Sequence, residues 1–119
     1  MFGFEKIEVW ERAIEFADIV YSVTGRFPED ERFDLTRMMR RASVSISSSI
    51  AEGSLRKSSR SFLHFIAVAA SSLDEVVLLA AMSLKQGFLS ETEFQGLCAT
   101  AEEQREMLRV LRRSLRGEP

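Results

Sequence analysis

Apolar residues recur along this chain at spacings of three and four, the period that lines one face of a helix, and they do so over four stretches. In the first stretch, residues 8–24, Val9, Ala13, Phe16, Val20 and Val23 form one stripe. Trp10, Ile14, Ala17 and Tyr21 form a second stripe beside it, and Glu8, Glu11, Glu15 and Asp18 take the opposite face. The combined apolar band is wider than a surface helix needs to face one core. Gly25 and Pro28 mark its end.

The second helix is expected over residues 31–53. Leu35, Met38, Met39, Ala42, Ile46, Ser49 and Ile50 fall within about 60° of one direction at the helical repeat. Arg37, Arg40, Val44, Ser48 and Ala51 lie on the far side, a mixture that suits an interface. Ser43, Ser45, Ser47, Ser48 and Ser49 are small enough to let another helix approach closely. Gly53 is expected at the left-handed position beyond the helix end.

A third helix is predicted over residues 59–86, starting after a serine of the run 58–61 and stopping at Gly87. Phe62, Ile66, Ala69, Leu73, Val76, Val77, Ala80 and Leu84 make its stripe. Leu63, Val68, Leu78, Leu79 and Met82 point elsewhere, so it is apolar almost all round, as helices buried on more than one side are. Its length would also span a bilayer. Asp74 and Glu75 at its middle argue against that, at about 2.5–3.5 kcal/mol per charge even on the lenient insertion scale.

The fourth helix, residues 91–116, has the clearest start. Ser90 and Glu93 have capping-box spacing, with Leu89 and Phe94 placed for a hydrophobic staple. Phe94, Leu97, Ala101, Leu108, Leu111 and Leu115 form the inward stripe, and Arg105, Arg109, Arg112 and Arg116 a ladder on an outer face. Four helices with short turns predict an all-α, up-and-down antiparallel four-helix bundle. At 119 residues, 1–119 is one domain. The apolar surface exceeds what one bundle can hide, which points to self-association in a cyclic homo-oligomer.

Composition adds compartment and charge. A single cysteine, Cys98, excludes an internal disulfide and suits a reducing, cytoplasmic setting, and the N-terminus lacks signal-peptide regions. The net charge of −2 conceals segregation. Residues 1–31 hold three basic and eight acidic groups (net −5), and residues 32–60 seven and two (net +5). Residues 61–104 hold one and six (net −5), and residues 105–119 five and two (net +3).

Residues 4–10 (FEKIEVW), 27–33 (FPEDERF), Leu35 with Thr36, 40–42 (RRA), 44–46 (VSI) and 50–53 (IAEG) occur in that order over almost the whole chain. They resemble the four-helix-bundle protein family first noted as reading frames within intervening sequences of bacterial 23S ribosomal RNA genes. The resemblance implies a four-helix bundle assembled as a ring, a homopentamer. It also implies an RNA connection, since a related branch resembles the accessory protein of diversity-generating retroelements. It supplies no agreed biochemical activity. The chain departs from the family pattern at Asp34, Met38, Ser47, Ser49 and Leu55; Ser47 in place of proline restores a backbone donor and predicts a straighter helix.

Catalytic chemistry finds little support. His64 is the single histidine, Cys98 has no nearby base in sequence, and Asp74 and Glu75 point about 100° apart on a helix. No Glu-x-x-His pair or phosphate loop occurs. The expectation is a protein that is not an enzyme, with no cofactor and no metal. Basic residues carry the better signal. An up-down bundle brings Arg56, Lys57 and Arg60 to the same pole as Arg112, Arg113 and Arg116, with Lys6 nearby, and gathers Glu29, Asp30, Glu31, Asp34, Glu91 and Glu93 at the other. These cations either contact phosphates of structured RNA or pair with Glu52, Glu102, Glu106 and Glu118; no aromatic residue is expected among them. Arg37, Arg40 and Arg41 form a separate group, reaching either RNA or the acidic face of helix one (Glu11, Glu15, Asp18) on a neighbouring subunit. The expected function is a ring-forming binding or scaffold protein for structured RNA or a ribonucleoprotein, the alternative a protein–protein adaptor.

Overall fold

The computed structural model describes residues 2–117, the side chains of 2–6 and 31–33 apart. Four α-helices follow one another: α1 (Phe2–Thr24), α2 (Arg37–Ser54), α3 (Ser59–Lys85) and α4 (Glu91–Leu115). A 3-10 turn, Glu29–Glu31, and a π turn, Arg32–Thr36, lead into α2. Each helix packs on the next, and α4 closes against α1. Contacts fix the directions. Arg26 beyond the end of α1 pairs with Glu93 at the start of α4, while Gln104 further along α4 donates to the Val9 carbonyl near the start of α1. Leu63 of α3 shares a groove with Arg112 and Arg116 of α4, so α3 starts where α4 ends.

The helices form where their stripes require. Val9, Ala13, Phe16 and Val20 are buried on α1, and Leu97, Ala101, Leu108, Leu111 and Leu115 on α4. The α1 helix starts at Phe2, six residues before the apolar stripe would place it. The second apolar stripe of α1 is outside: Trp10, Ile14 and Tyr21 are exposed, while Ala17 is half-buried. Ser90 accepts from the Glu93 amide and Glu93 accepts from the Ser90 amide, completing the capping box. Ser58 caps α3 by accepting from the Ser61 amide.

The α2–α3 contact is the tightest. Ser43 and Ser49 are buried, and Ser72 of α3 donates to Ser45 of α2 at 2.8 Å. The α2 helix runs unbroken through Ser47, as the missing proline predicts. Met38 departs from its expected core position and is 43% exposed. It lies at the edge of the stripe, where the π turn hands over to α2, and Thr36 and Met39 take the buried positions instead. Gly53 also departs from expectation, lying inside α2 rather than past its end, and its φ is not positive. The helix ends in an ordinary right-handed conformation at Leu55. The left-handed position after α3 is taken by Gly87, φ 82°, as expected.

The α3 helix is long and apolar enough to cross a membrane. In the bundle it packs between α2 and α4 and buries Phe62, Ile66, Ala69, Leu73, Val76 and Ala80. Asp74 at its middle is ion-paired to Arg105 of α4.

Candidate nucleic-acid interface

The basic pole is built by three chain ends. The α2–α3 turn carries Arg56 and Lys57, the first turn of α3 carries Arg60, and the last turn of α4 carries Arg112 and Arg113, with Arg116 capping it. Cations at the end of α4 lie where the helix dipole favours them. All six side chains are exposed. Arg56 is engaged within the chain: its Nη2 donates to Glu52 at 2.6 Å, and its guanidinium lies 4.8 Å from the Phe65 ring centroid. Lys57, Arg60, Arg112, Arg113 and Arg116 have no ion pair among the described residues. The acidic partners expected for them are used otherwise, since Glu102 pairs with Arg105 and Glu106 with Arg109. Lys6 and Glu118 fall outside the described side chains.

One expectation is corrected here. An aromatic residue does sit at the basic pole, because Phe65, half-buried on α3, stacks beneath Arg56 and carries His64 edge-on at 5.3 Å. The residue signal was present in the sequence, but Phe65 lies one helical step from the core stripe. Its meeting with Arg56 depends on the approach of α2, whose Gly53 lies against the base of Phe65.

The arginine ladder of α4 divides. Arg105 is shared between Asp74 and Glu102; its hydrogen bond to Asp74 raises its pKa above the ordinary value, although burial works the other way. Arg109 pairs with Glu106. Arg112 and Arg116 continue along a groove floored by Leu63, Ile66 and Leu108.

Arg37, Arg40 and Arg41 lie at the opposite end of α2. Arg40 is used inside its own chain: Nε donates to Thr24 Oγ1 at 2.9 Å, Nη2 donates to the Tyr21 carbonyl at 3.3 Å, and the guanidinium lies 4.5 Å from the Tyr21 ring centroid. It therefore satisfies carbonyl and hydroxyl groups at the end of α1, a cap that no spacing rule announces. Arg37 and Arg41 are exposed beside it and have no ion pair among the described residues.

Groups with catalytic chemistry do not converge. His64 is exposed, and Asp74 is held by Arg105 ten residues further along the same helix, about 15 Å at the helical rise. Cys98 is half-buried on α4, and burial, then the charge of Glu102, pushes its thiol pKa up. Among the described residues no three His, Cys, Asp or Glu side chains are grouped to hold a metal ion.

A family model, 23S rRNA-intervening sequence protein, matches residues 5–110. The chain belongs to that family. The match takes in all of the α2–α3 turn and stops before Arg112, Arg113 and Arg116, so the α4 side of the basic pole lies beyond it. Among solved structures, a protein of unknown function from the S23 ribosomal protein family of Bacteroides thetaiotaomicron VPI-5482 has a TM-score of 0.82. It is 17% identical, and the alignment covers 92% of this chain and 98% of that one. Likeness at that identity shows the shared fold. No curated protein matches the chain. Neither family name states a catalytic activity.

Proposed function

We propose that this member of the family is a non-enzymatic, cytoplasmic binding protein that forms a ring and holds structured RNA, or a ribonucleoprotein, through its basic pole. The observation that carries the reading is the set Lys57, Arg60, Arg112, Arg113 and Arg116, exposed at one end of the bundle without ion pairs among the described residues. The opposite end carries Glu29, Asp30, Asp34 and Glu91 exposed. Guanidiniums and ammoniums at a fixed end of a rigid bundle can contact backbone phosphates without reading bases. A ring of parallel subunits would repeat this end around one face and multiply a weak contact into an avid one. The family's link to 23S rRNA sequences agrees with an RNA ligand.

A protein–protein adaptor is the second reading, favoured by the exposed apolar side chains Trp10, Tyr21, Leu55, Leu78 and Met82. The two separate in one experiment. The purified protein is titrated with structured ribosomal RNA over a range of salt. The RNA reading expects tight binding at low salt that falls linearly on logarithmic axes. The double variant Arg112→Ala, Arg113→Ala should then reduce that slope by about one for each phosphate it no longer touches. Absence of salt-sensitive binding at low ionic strength ends the RNA reading. Partners retained from lysate after nuclease treatment support the adaptor.

A further inference from the structure

Where α1 ends and α2 begins, Tyr21, Thr36, Arg37, Arg40 and Arg41 line a hollow of about 310 Å³. It lies some 15 residues of α2 away from Arg56, about 22 Å at the helical rise, and shares no residue with the basic pole. Three features make it more than a cluster of surface cations.

Arg40 is held rigidly. Its bonds to Thr24 Oγ1 and the Tyr21 carbonyl, with the Tyr21 ring beneath it, fix the plane of the guanidinium. Thr24 is itself anchored, donating to the Val20 carbonyl at 2.7 Å. A guanidinium carries five N–H donors, so donors remain on Arg40 after these two bonds. Arg37 and Arg41 flank it one helical turn apart, exposed, and no ion pair to either is made by Asp34 or any other described residue. Thr36 supplies the third feature. It is 3% exposed, and its hydroxyl has no hydrogen-bond partner among the described residues. Although it stands at the N-cap of α2, it makes no cap bond, because the π turn brings the chain into α2 already coiled. A buried hydroxyl without a partner is destabilising, so its retention calls for an explanation, and a bound anion that supplies the partner is one.

We propose that this hollow binds the phosphoryl group of a small phosphate ester. Three guanidiniums and a hydroxyl offer more donors than the two oxygens of a carboxylate can accept. A terminal phosphate presents three oxygens, each able to take forked guanidinium bonds. The volume sits at the lower end of small-ligand sites. Arg40 is ordered before the ligand arrives, which removes part of the cost of binding.

Calorimetric titration of the purified protein in phosphate-free buffer at low ionic strength tests the site, with inorganic pyrophosphate, ADP and adenosine as probes. Pyrophosphate and ADP should each bind saturably, one per chain, and adenosine should not. Arg37→Ala and Arg41→Ala are exposed changes and should each weaken binding by about tenfold. Thr36→Val, close in shape, should fold normally and also weaken it. The pole variant Arg112→Ala, Arg113→Ala should bind as the parent does. The proposal is overturned by any of three results: no saturable binding of pyrophosphate, equal weakening by the pole variant, or binding of a single-stranded oligonucleotide with none of the small phosphates.

Discussion

Gly53 of α2 lies so close to Phe62 of α3 that a Cβ on it would come 2.7 Å from the ring carbon Cδ1, and 2.8 Å from Cβ of neighbouring Phe65. The glycine is required by the approach of a second helix, not by its own backbone angle. Phe65 is also the ring that lies under Arg56, so the α2–α3 contact and the basic pole meet at the same position.

Gly53→Ala should therefore destabilise the protein despite alanine's better helix propensity. Overpacking costs about 1–3 kcal/mol, against a propensity gain of about 1 kcal/mol. The urea midpoint should fall; a midpoint that rises would mean that the ring of Phe62 moves aside freely and the contact is not tight.

Gly96 gives the opposite expectation from the same substitution. It lies within α4, exposed, and a Cβ there would meet nothing within 4 Å. Gly96→Ala should stabilise by about 0.5–1 kcal/mol through the entropy of the unfolded chain. The two variants measured side by side separate contact from propensity, and identical shifts would contradict both arguments.

Arg40 ties the end of α1 to the start of α2. Arg40→Ala removes two hydrogen bonds and a stacked contact from a half-buried side chain and should cost about 1–2 kcal/mol. Arg40→Lys should recover less than half of that, since an ammonium cannot make the forked pair of bonds while lying flat on Tyr21. Thermal unfolding of the three proteins reads this directly. Full recovery by lysine would show that charge alone is at work.

Most of the bundle is legible in the pattern of the chain, because stripes such as Val9–Ala13–Phe16–Val20 have one stable solution, burial against another helix. The capping box at Ser90 is legible for a similar reason, being a local exchange of hydrogen bonds within four residues. What escapes is whatever depends on a second helix. Gly53 reads as a terminator in isolation and proves to be a contact point. Gln104 is polar and so has no place in the apolar stripe of the fourth helix, yet it is 2% exposed and donates to the Val9 carbonyl at 3.3 Å across the α1–α4 seam. The candidate site follows the same division. The gathering of Arg56, Lys57 and Arg60 with the arginines of α4 follows from topology alone. Which of them are already neutralised, and that Arg40 is a cap, depends on side-chain reach that no spacing encodes.

Cys98 should be a sluggish thiol. Burial, and secondarily the nearby charge of Glu102, raises its pKa above the ordinary 9.0, so at neutral pH less thiolate is present than in the unfolded chain. As pH rises, iodoacetamide alkylation of the folded protein should pass its midpoint at a higher pH than alkylation in urea. Glu102→Gln should move that midpoint part of the way back. Restricted access would slow the reaction without moving the midpoint, so coincident midpoints would assign the slowness to access.

Two apolar faces on diagonal corners of the bundle make a specific demand on assembly. On α1, Ile7, Trp10 and Ile14 are exposed beside the acidic Glu11 and Asp18; on α3, Leu78 and Met82 are exposed, 63% and 50%. The faces point apart, since α1 and α3 stand across the bundle from each other. Joining one to the other on the next subunit would be a heterologous contact, which closes into a ring where its rotation allows, whereas a two-fold dimer would cover only one of them. Light scattering should give a multiple of 13.5 kDa greater than two. Trp10→Glu and Leu78→Glu should each lower the mass while leaving helix content unchanged. Mixing the two variants should then give a dimer, because each retains the face that the other lacks. A parent protein of 13.5 kDa at every concentration would remove the ring, and a mixture that stays monomeric would remove the head-to-tail arrangement.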